Sequence, residues 1–485
     1  MLHTASARLY AARWSLQSEE AVAIHLRPEG QSALLRALLL YVPLWLPWWL
    51  LSLVCAVVCP HLDAREITDG NVNYSFVVEG RNEARIFIKQ AEAYLKWQPQ
   101  MALERERMQR EVQYFRDVAA ALGEHDAARY LPRIYDFDLQ STTFVMEYLD
   151  GFIVAFDQIF AIGRVSRAAA AGLGEFMARV HARTLDRGQP EDKVRASAYS
   201  NPSMRAIQKE HVYEVCLEKS ARGRELARDE PLMAEVQQLK AKYLGRSFDE
   251  LDRFALCHGD FHPGGVMVRG GAVKVIDPEF VVCGPPGLDV GSLMSGFVLG
   301  FIYHKQQRTV YYDQLYTSPR TPSTAVACAA GGASGGASGG AAGGAGGAGA
   351  AGAAVAAEEE LLELHAALRA MWEAYEATMT AEGVSKAQLQ RVSEDSAGYA
   401  MMEVLRTSLG FAGARDPSRR ISDAAELERY QDVAVQLVRT CLLGRRGPPT
   451  RDAMRGVPLL LELLETLDVA ALRAPDDYRD AKKDA

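Results

Sequence analysis

The sequence predicts an α+β chain of two lobes, a small β-rich lobe followed by a larger and mainly helical one. Three observations predict it. Two β-patterned runs, "REITDGNVNYSFVVEG" and "ARIFIKQ", begin at Arg65. A charged helix pattern over Ala102–Leu122 follows, with Met108, Val112, Phe115 and Ala119 at helical spacing. From about Phe152 the pattern is helical almost throughout, interrupted by two short strands and their loops within Cys257–Phe280, "CHGDFHPGGVMVRGGAVKVIDPEF".

The bulk numbers are compatible with this. A chain of 485 residues is long enough for two or three domains, and 48% hydrophobic with 24% charged residues is ordinary globular composition. The formal net charge of -8 opposes a nucleic-acid partner, which needs a basic face. Seven cysteines are scattered without CxxC spacing, so we expect reduced thiols and a cytoplasmic compartment.

In chain order, residues 1–36 form an N-terminal segment. It holds a broken amphipathic pattern that Ser18 caps, after a start read as lacking fixed structure. Residues 37–62 are apolar and carry no Asp, Glu, Lys or Arg. Their length would cross a bilayer, but Pro43 and Pro47 oppose a continuous helix. Three readings stand for them: a membrane helix, an insertion packed on the surface, and translated non-coding sequence. The small lobe occupies 63–150, with a turn at Gly80-Arg81-Asn82-Glu83 and two further strands in "YLPRIYDFDLQSTTFVMEYLD". The large lobe starts at 151 and runs to 322, with helices expected at Arg167–Leu185 and Leu232–Leu244. Residues 323–357 are almost entirely Ala, Gly and Ser and read as a flexible insertion. Helices resume over 358–475, the first starting at Glu358 with acids in its first turn, the last at Pro458–Arg473. Residues 476–485 are a charged tail.

The interrupted stretch carries the chemistry. "ALCHGDFHPGGVMV" reads as strand, loop, strand, and "AVKVIDPEF" as a strand running into a loop. Asp260 and the Asp277/Glu279 pair therefore sit at strand ends, where side chains converge. Phosphoryl transfer has that demand: one carboxylate handles the proton of the attacking hydroxyl, and others hold Mg²⁺ against the phosphates of ATP. Lys89 ends the second β-run, within reach of nucleotide phosphates, and Glu111 on the following helix would fix it. The turn in "TDGNVNYSF", with Asn71 and Asn73, would lie over phosphates. "VMEYLDG", with Met146 and Tyr148, reads as an inter-lobe linker facing an adenine ring. Each feature alone has an ordinary structural explanation. Their order along the chain is what points to a kinase-like architecture.

On these residues the chain resembles the aminoglycoside-phosphotransferase and choline-kinase superfamily, and within it the 5-methylthioribose kinase family. The motifs are "DGNVNY" at 69–74, "HGDFHPGGVMV" from His258, "VIDPEF" at 275–280, "CGPPGLDVG" at 283–291 and "NPSMRAIQKEHVY" at 201–213. The resemblance covers 66–306 well and 358–446 more loosely. It implies a bilobal protein-kinase-like fold and ATP-dependent phosphorylation of the 1-hydroxyl of 5-methylthioribose, with Asp260 as catalytic base, Asp277 and Glu279 on magnesium, Lys89 on the phosphates and Glu111 as its partner. Asp289 would stabilise the catalytic loop, and a homodimer is compatible with it. Relatives commonly place a metal-binding Asn where Gly265 stands, and Glu279 would replace that oxygen.

The departures concern the acceptor. The family grips its sugar with two adjacent arginines; here Arg406 matches the first and Thr407 stands at the second. The family's Trp-Pro loop is represented by Trp97 and Pro99, displaced and separated. A kinase of the same fold acting on another sugar, choline or an aminoglycoside therefore remains a second reading, and a non-catalytic module a third.

Overall fold

The computed structural model describes residues 7, 10–11, 62–68, 72–80, 84–245, 253–317, 346–447 and 454–467. For 308–317, 346–362, 414 and 418 it describes the backbone alone. The small lobe is a five-stranded antiparallel sheet. Its strands are β1 (Asp63–Ile67), β2 (Tyr74–Glu79), β3 (Arg85–Gln90), β6 (Ile134–Asp138) and β7 (Thr143–Glu147), in the order β1-β2-β3-β7-β6. β3 runs through the middle, pairing Lys89 with Ser75 on one side and Phe144 on the other. The first β-run thus forms two strands, β1 and β2.

Helix α1 (Arg107–Leu122) packs across this sheet. It buries Met108, Val112 and Phe115, and its first turns meet Ala91, Phe144 and Met146. It starts five residues later than its sequence pattern suggests. The preceding residues instead form a hairpin of β4 (Tyr94–Leu95) and β5 (Gln98–Ala102), which Pro99 and the absence of clear alternation hide in the sequence. Helix α2 (Glu124–Tyr130) leads to β6. The start of the chain also differs from expectation: Ala7, Tyr10 and Ala11 are buried and helical, and Tyr10 Oη donates to Asp136 at 2.9 Å. Small and aromatic residues at helical spacing explain that docking on edge strand β6.

The large lobe begins with β8 (Ile153–Val154), which joins a three-stranded sheet with β10 (Val266–Arg269) and β11 (Ala272–Val275). Helices α3 (Ala155–Ile162), α4 (Arg167–Thr184), α5 (Pro190–Ala198), α6 (Pro202–Tyr213), α7 (Val215–Lys219), α8 (Ala221–Leu226) and α9 (Glu230–Tyr243) precede that sheet's last two strands. β9 (Ala255–Cys257) pairs with β12 (Val282–Gly284), so the two loops that carry Asp260 and Asp277 are tied at both ends.

Helix α10 (Gly287–Thr317) is the centre of this lobe, buried on every face from Gly287 to Ile302. Around it stand α11 (Gly346–Ala381), α12 (Lys386–Ser408), α13 (Ala424–Gly444) and α14 (Val457–Glu465). α11 begins twelve residues before the expected Glu358, inside the Ala/Gly-rich stretch. Alanine extends a helix readily once packing has nucleated it. α14 ends at Glu465, short of the expected Arg473, and 468–485 lie outside the described residues, as do 12–61 and 318–345. The apolar segment therefore has no structural account here. Among the described residues, no helix is long and apolar enough to cross a membrane, and Cys216, Cys257, Cys283 and Cys441 are free thiols.

Gly296 on α10 is where the catalytic-loop sequence meets the core. A methyl group there would overlap the Pro263 ring. Gly296→Ala should destabilise the protein by about 1–3 kcal/mol, the usual cost of overpacking. A lowered Tm in a thermal melt is the expected result.

Candidate active site

Lys89 is 5% exposed, and three carboxylates surround its ammonium. Glu111 Oε1 lies 2.7 Å away, Glu279 Oε1 2.6 Å away, and Asp277 makes a third, shorter pair. The partners come from two pieces of the chain: α1 supplies Glu111, and the loop after β11 supplies Asp277 and Glu279. Burial opposes the charge on Lys89, but Asp277, Glu111 and Glu279 outweigh it and hold the ammonium well above the usual lysine range.

One cation does not balance three anions. Burial and then the neighbouring carboxylate of Asp277 push Glu279 up to about 8 despite Lys89. Burial also pushes Glu111 up to about 7. Burial would raise Asp277 as well, but Lys89 outweighs it and keeps that carboxyl below the usual range. The three acids place ligand oxygens within 4.8 Å of one another. An all-carboxylate set with excess negative charge suits a hard divalent cation such as Mg²⁺.

Local backbone aims these groups. Asp277 has φ of 68°, in the left-handed region that a residue before proline rarely adopts, so Pro278 and Asp277 together store strain. The side chain of Asp277 is half exposed, open to the cleft, whereas that of Glu279 is buried. Asn73 Nδ2 donates to Glu279 Oε1 at 2.8 Å, and Arg107 donates to Asn73 Oδ1 through Nε at 3.1 Å and through Nη2 at 2.8 Å. Asn201, at φ of 42°, donates to the carbonyls of Glu279 and Val281.

The second centre is Asp260. Arg415 Nη1 donates to its Oδ1 at 3.2 Å, and His262 Nε2 lies 3.6 Å from its Oδ2. Burial would raise the Asp260 carboxyl. Arg415, His262, Arg406 and His258 together outweigh burial and hold it far below the usual carboxylate range. His262 Nδ1 accepts from the Gly264 N–H at 2.9 Å, which leaves its proton on Nε2, facing Asp260. Burial and Arg415 push His262 down to about 3, so the ring is neutral.

The loop bearing Asp260 is held from beneath. Asp289 on α10 accepts from the N–H groups of His258 and Gly259 at 2.7 and 2.9 Å. Gln208 of α6 donates to the Gly259 carbonyl at 2.6 Å, and Tyr243 donates to Gln208. Gly259, at φ of 87°, lies where any side chain would overlap the Phe280 carbonyl, which brings the two acidic loops into contact. Gly265 is a close-approach position too: a Cβ there would lie 3.2 Å from the Ile276 carbonyl oxygen.

Measured against expectation, Lys89, Glu111, Asp277 and Glu279 come together. Asp260 stands on the loop packed beside them, and Asp289 supports that loop. Arg406, on α12, is buried against Glu403 at 2.9 Å on the acceptor side of Asp260. Its Nε and Nη2 have no partner with hydrogen-bond geometry among the described residues. Four candidates stand apart from this picture. Asn73 is engaged with Glu279 and Arg107 and braces the Glu279 carboxylate. Trp97 is more than half exposed at the tip of the β4–β5 hairpin. Met146 is buried under α1, and Tyr148 lies beneath the Arg85 guanidinium at 4.7 Å. Asn71 lies outside the described residues. Arg415 and Arg107 were missed in the sequence, since a lone arginine carries no pattern, whereas Asn201 opens the 201–213 motif but had no role assigned to it.

A β-sheet lobe with a buried lysine–glutamate pair, joined to a helical lobe with an aspartate loop and an acidic pair, defines a kinase-like phosphotransferase. The comparisons agree. The pattern of the phosphotransferase enzyme family matches residues 63–315, more than half of the chain, and the chain belongs to that family. Among its relatives, the methylthioribose kinase of Geobacillus kaustophilus is 30% identical over 273 residues, covering 52% of this chain and 65% of that enzyme. The methylthioribose kinase of Enterobacter sp. is 28% identical over 256 residues, 50% of this chain and 61% of that enzyme. The matched stretch thus spans less than two-thirds of these relatives. Among solved structures, choline kinase from Cryptosporidium parvum covers 79% of this chain and 89% of its own, at 13% identity and a TM-score of 0.41. A glucosamine kinase complex with glucosamine, ADP and inorganic phosphate covers 79% and 82%, at 16% identity and a TM-score of 0.40.

The brace under the catalytic loop is open to test. Asp289→Asn would turn an amide N–H₂ toward a backbone N–H, and one buried donor left unsatisfied costs about 1–3 kcal/mol. Urea denaturation should show that loss, and turnover should fall with it.

Proposed function

We propose that the chain is an ATP-dependent kinase that phosphorylates a neutral small polyol, with the 1-hydroxyl of 5-methylthioribose as the specific acceptor, a step of methionine salvage. The observation that carries the kinase reading is the pairing of two centres on adjoining loops: Asp260 on one side, Lys89 with Asp277 and Glu279 on the other. Asp277 and Glu279 would hold Mg²⁺, which would neutralise charge on the phosphates when bound. Lys89 would leave its carboxylate cluster to contact ATP phosphates, with Glu111 retaining it.

Asp260 acts on the acceptor. The hydroxyl oxygen attacks the γ-phosphorus, the bond from that phosphorus to the ADP oxygen breaks, and the hydroxyl proton passes to Asp260. A carboxylate held so acidic is a weak base in the ground state. It orients the hydroxyl first and takes the proton only as the oxygen bonds to phosphorus, in keeping with a loose transition state.

The acceptor side favours a sugar over the cationic alternatives. Arg406 and Arg415 stand against Glu403 and Asp260, so the region carries no surplus negative charge for choline or an aminoglycoside. Burial and Arg406 also depress His211, leaving it a neutral ring. The names of the two relatives support the particular sugar. Arg406, ion-paired with Glu403 but with Nε making no hydrogen bond among the described residues, suits hydroxyl oxygens.

Two outcomes follow. With ATP and Mg²⁺, a panel of 5-methylthioribose, other pentoses, glucosamine, choline and kanamycin should give turnover with the methylthio sugar and none with the cations. Preference for a cationic acceptor would sink the sugar reading. Asp260→Ala should lower kcat by about 10²–10⁴, the usual worth of a general base, in a coupled ADP-release assay.

A further inference from the structure

We propose that Arg415 is the guanidinium that binds the transferring phosphoryl group in this protein, supplied from the loop after α12 instead of from the helix itself. The proposal rests on the kinase reading above and deepens it.

Three observations carry it. The first is position: Arg415 donates to Asp260 at 3.2 Å, and its charge also faces Glu403 and Asp277. It is therefore bonded to the acid of one loop and close enough to feel the charges of Glu403 and of Asp277 on the other loop, the region where the transferring phosphoryl group would pass. The second is the neighbouring helix. Position 407, next to Arg406, is a buried threonine, which offers no charge. Arg406 itself is paired with Glu403, so it brings little net charge to a phosphate. The third is how the loop is built. Gly410, at φ of 89°, and Gly413, at φ of 61°, turn the chain back immediately after α12. Phe411 N–H donates to the Arg406 carbonyl at 3.0 Å and Gly410 N–H to that of Thr407 at 3.1 Å. The one-turn helix Gly413–Arg415 is thereby brought over the catalytic loop.

In the ligand-free geometry the Arg415 guanidinium is spent on Asp260. When a γ-phosphate enters, it offers oxygens that the planar fork binds in pairs, and Arg415 exchanges one anion for the other. The exchange has a second effect. Among its neighbours Arg415 does most to keep Asp260 acidic, so its departure restores basicity to Asp260 as the acceptor hydroxyl is to be deprotonated. Charge stabilisation and base activation would then come from one movement.

The test uses the full chain and three variants, Arg415→Ala, Arg415→Met and Arg415→Lys, each checked for a wild-type thermal melt. With ATP, Mg²⁺ and 5-methylthioribose, Arg415→Ala and Arg415→Met should lower kcat by about 10²–10³, the effect of losing one donor to transition-state charge. KM for ATP should stay near the wild-type value, and Arg415→Lys should fall between. Millimolar guanidinium ion should restore part of the rate to Arg415→Ala and none to Asp260→Ala. A second readout needs no turnover: binding of Mg²⁺-ADP with aluminium fluoride, a planar phosphoryl mimic, should weaken in Arg415→Ala while binding of Mg²⁺-ADP alone does not. Variants with wild-type kcat and unchanged aluminium-fluoride affinity would overturn the assignment. If the wild-type chain phosphorylates no acceptor, the functional reading fails, and the aluminium-fluoride comparison still decides the role of Arg415.

Discussion

The Lys89 ammonium is the interaction on which the arrangement depends. It is one buried cation held by three carboxylates from separate parts of the chain, and neither side is stable there alone. A buried ammonium without partners would lose its proton, and three clustered carboxylates without a cation would not stay ionised. The pair with Glu111 fixes α1 against β3, inside the small lobe. The pairs with Asp277 and Glu279 fix the small lobe against the acidic loop of the large one. The cluster is thus an inter-lobe fastening as well as a site. Burial and the neighbouring carboxylates raise Glu279 and Glu111, as expected where one lysine faces three acids.

A second constraint is the packing under the acidic loops. The two loops are short and tied by β9–β12 and β10–β11, and they approach one another so closely that Gly259 has no room for a side chain. Asp289 and Gln208 then take up the backbone donors and acceptors left over at the bend. This explains why a polar stretch sits beside a helix as apolar as α10. Its own hydrogen bonds are satisfied from below, so the carboxylate of Asp260 is free to face the cleft. The same bend explains Gly265. A side chain at that position would press on the Ile276 carbonyl, and the nearby carboxylate oxygen is that of Glu279, which Asn73 and Arg107 brace.

The sequence was most legible where chemistry and local pattern coincide. His-Gly-Asp and Asp-Pro-Glu lie at strand ends, and the spacing from strand lysine to helix glutamate survives any error of a residue or two in the elements. All four charged partners were therefore readable before any geometry. The β4–β5 hairpin was not, because a two-residue strand before Trp97 and a proline-bearing, largely exposed strand after it have no alternation to detect. Nor was the early start of α11, since Ala and Gly together read as linker by composition, and only the packing of the following turns makes them helical. Asn73 illustrates a different limit. Its position in a phosphate-loop pattern was visible, but the arginine that holds it, Arg107, is a single residue on the next helix with no motif around it.

Arg415 is the strongest case of that limit, and it bears on how acceptor specificity is built. A pair of guanidiniums need not be adjacent in sequence to act on one phosphoryl group; it needs only to converge on the same few ångströms. Adjacent residues on a helix point about 100° apart, so a consecutive pair requires the substrate to lie across the helix face. A loop arginine approaches from the side and leaves the helix face to the acceptor. Here that face carries Arg406 and Glu403, a pair of opposite charge that, under the proposed function, would bind a neutral polyol through its hydroxyls. Separating the two arginines assigns the charged task to Arg415 and the polar task to Arg406. A threonine at 407 is then no loss to the chemistry, because the position it occupies has ceased to be the one that meets the phosphate.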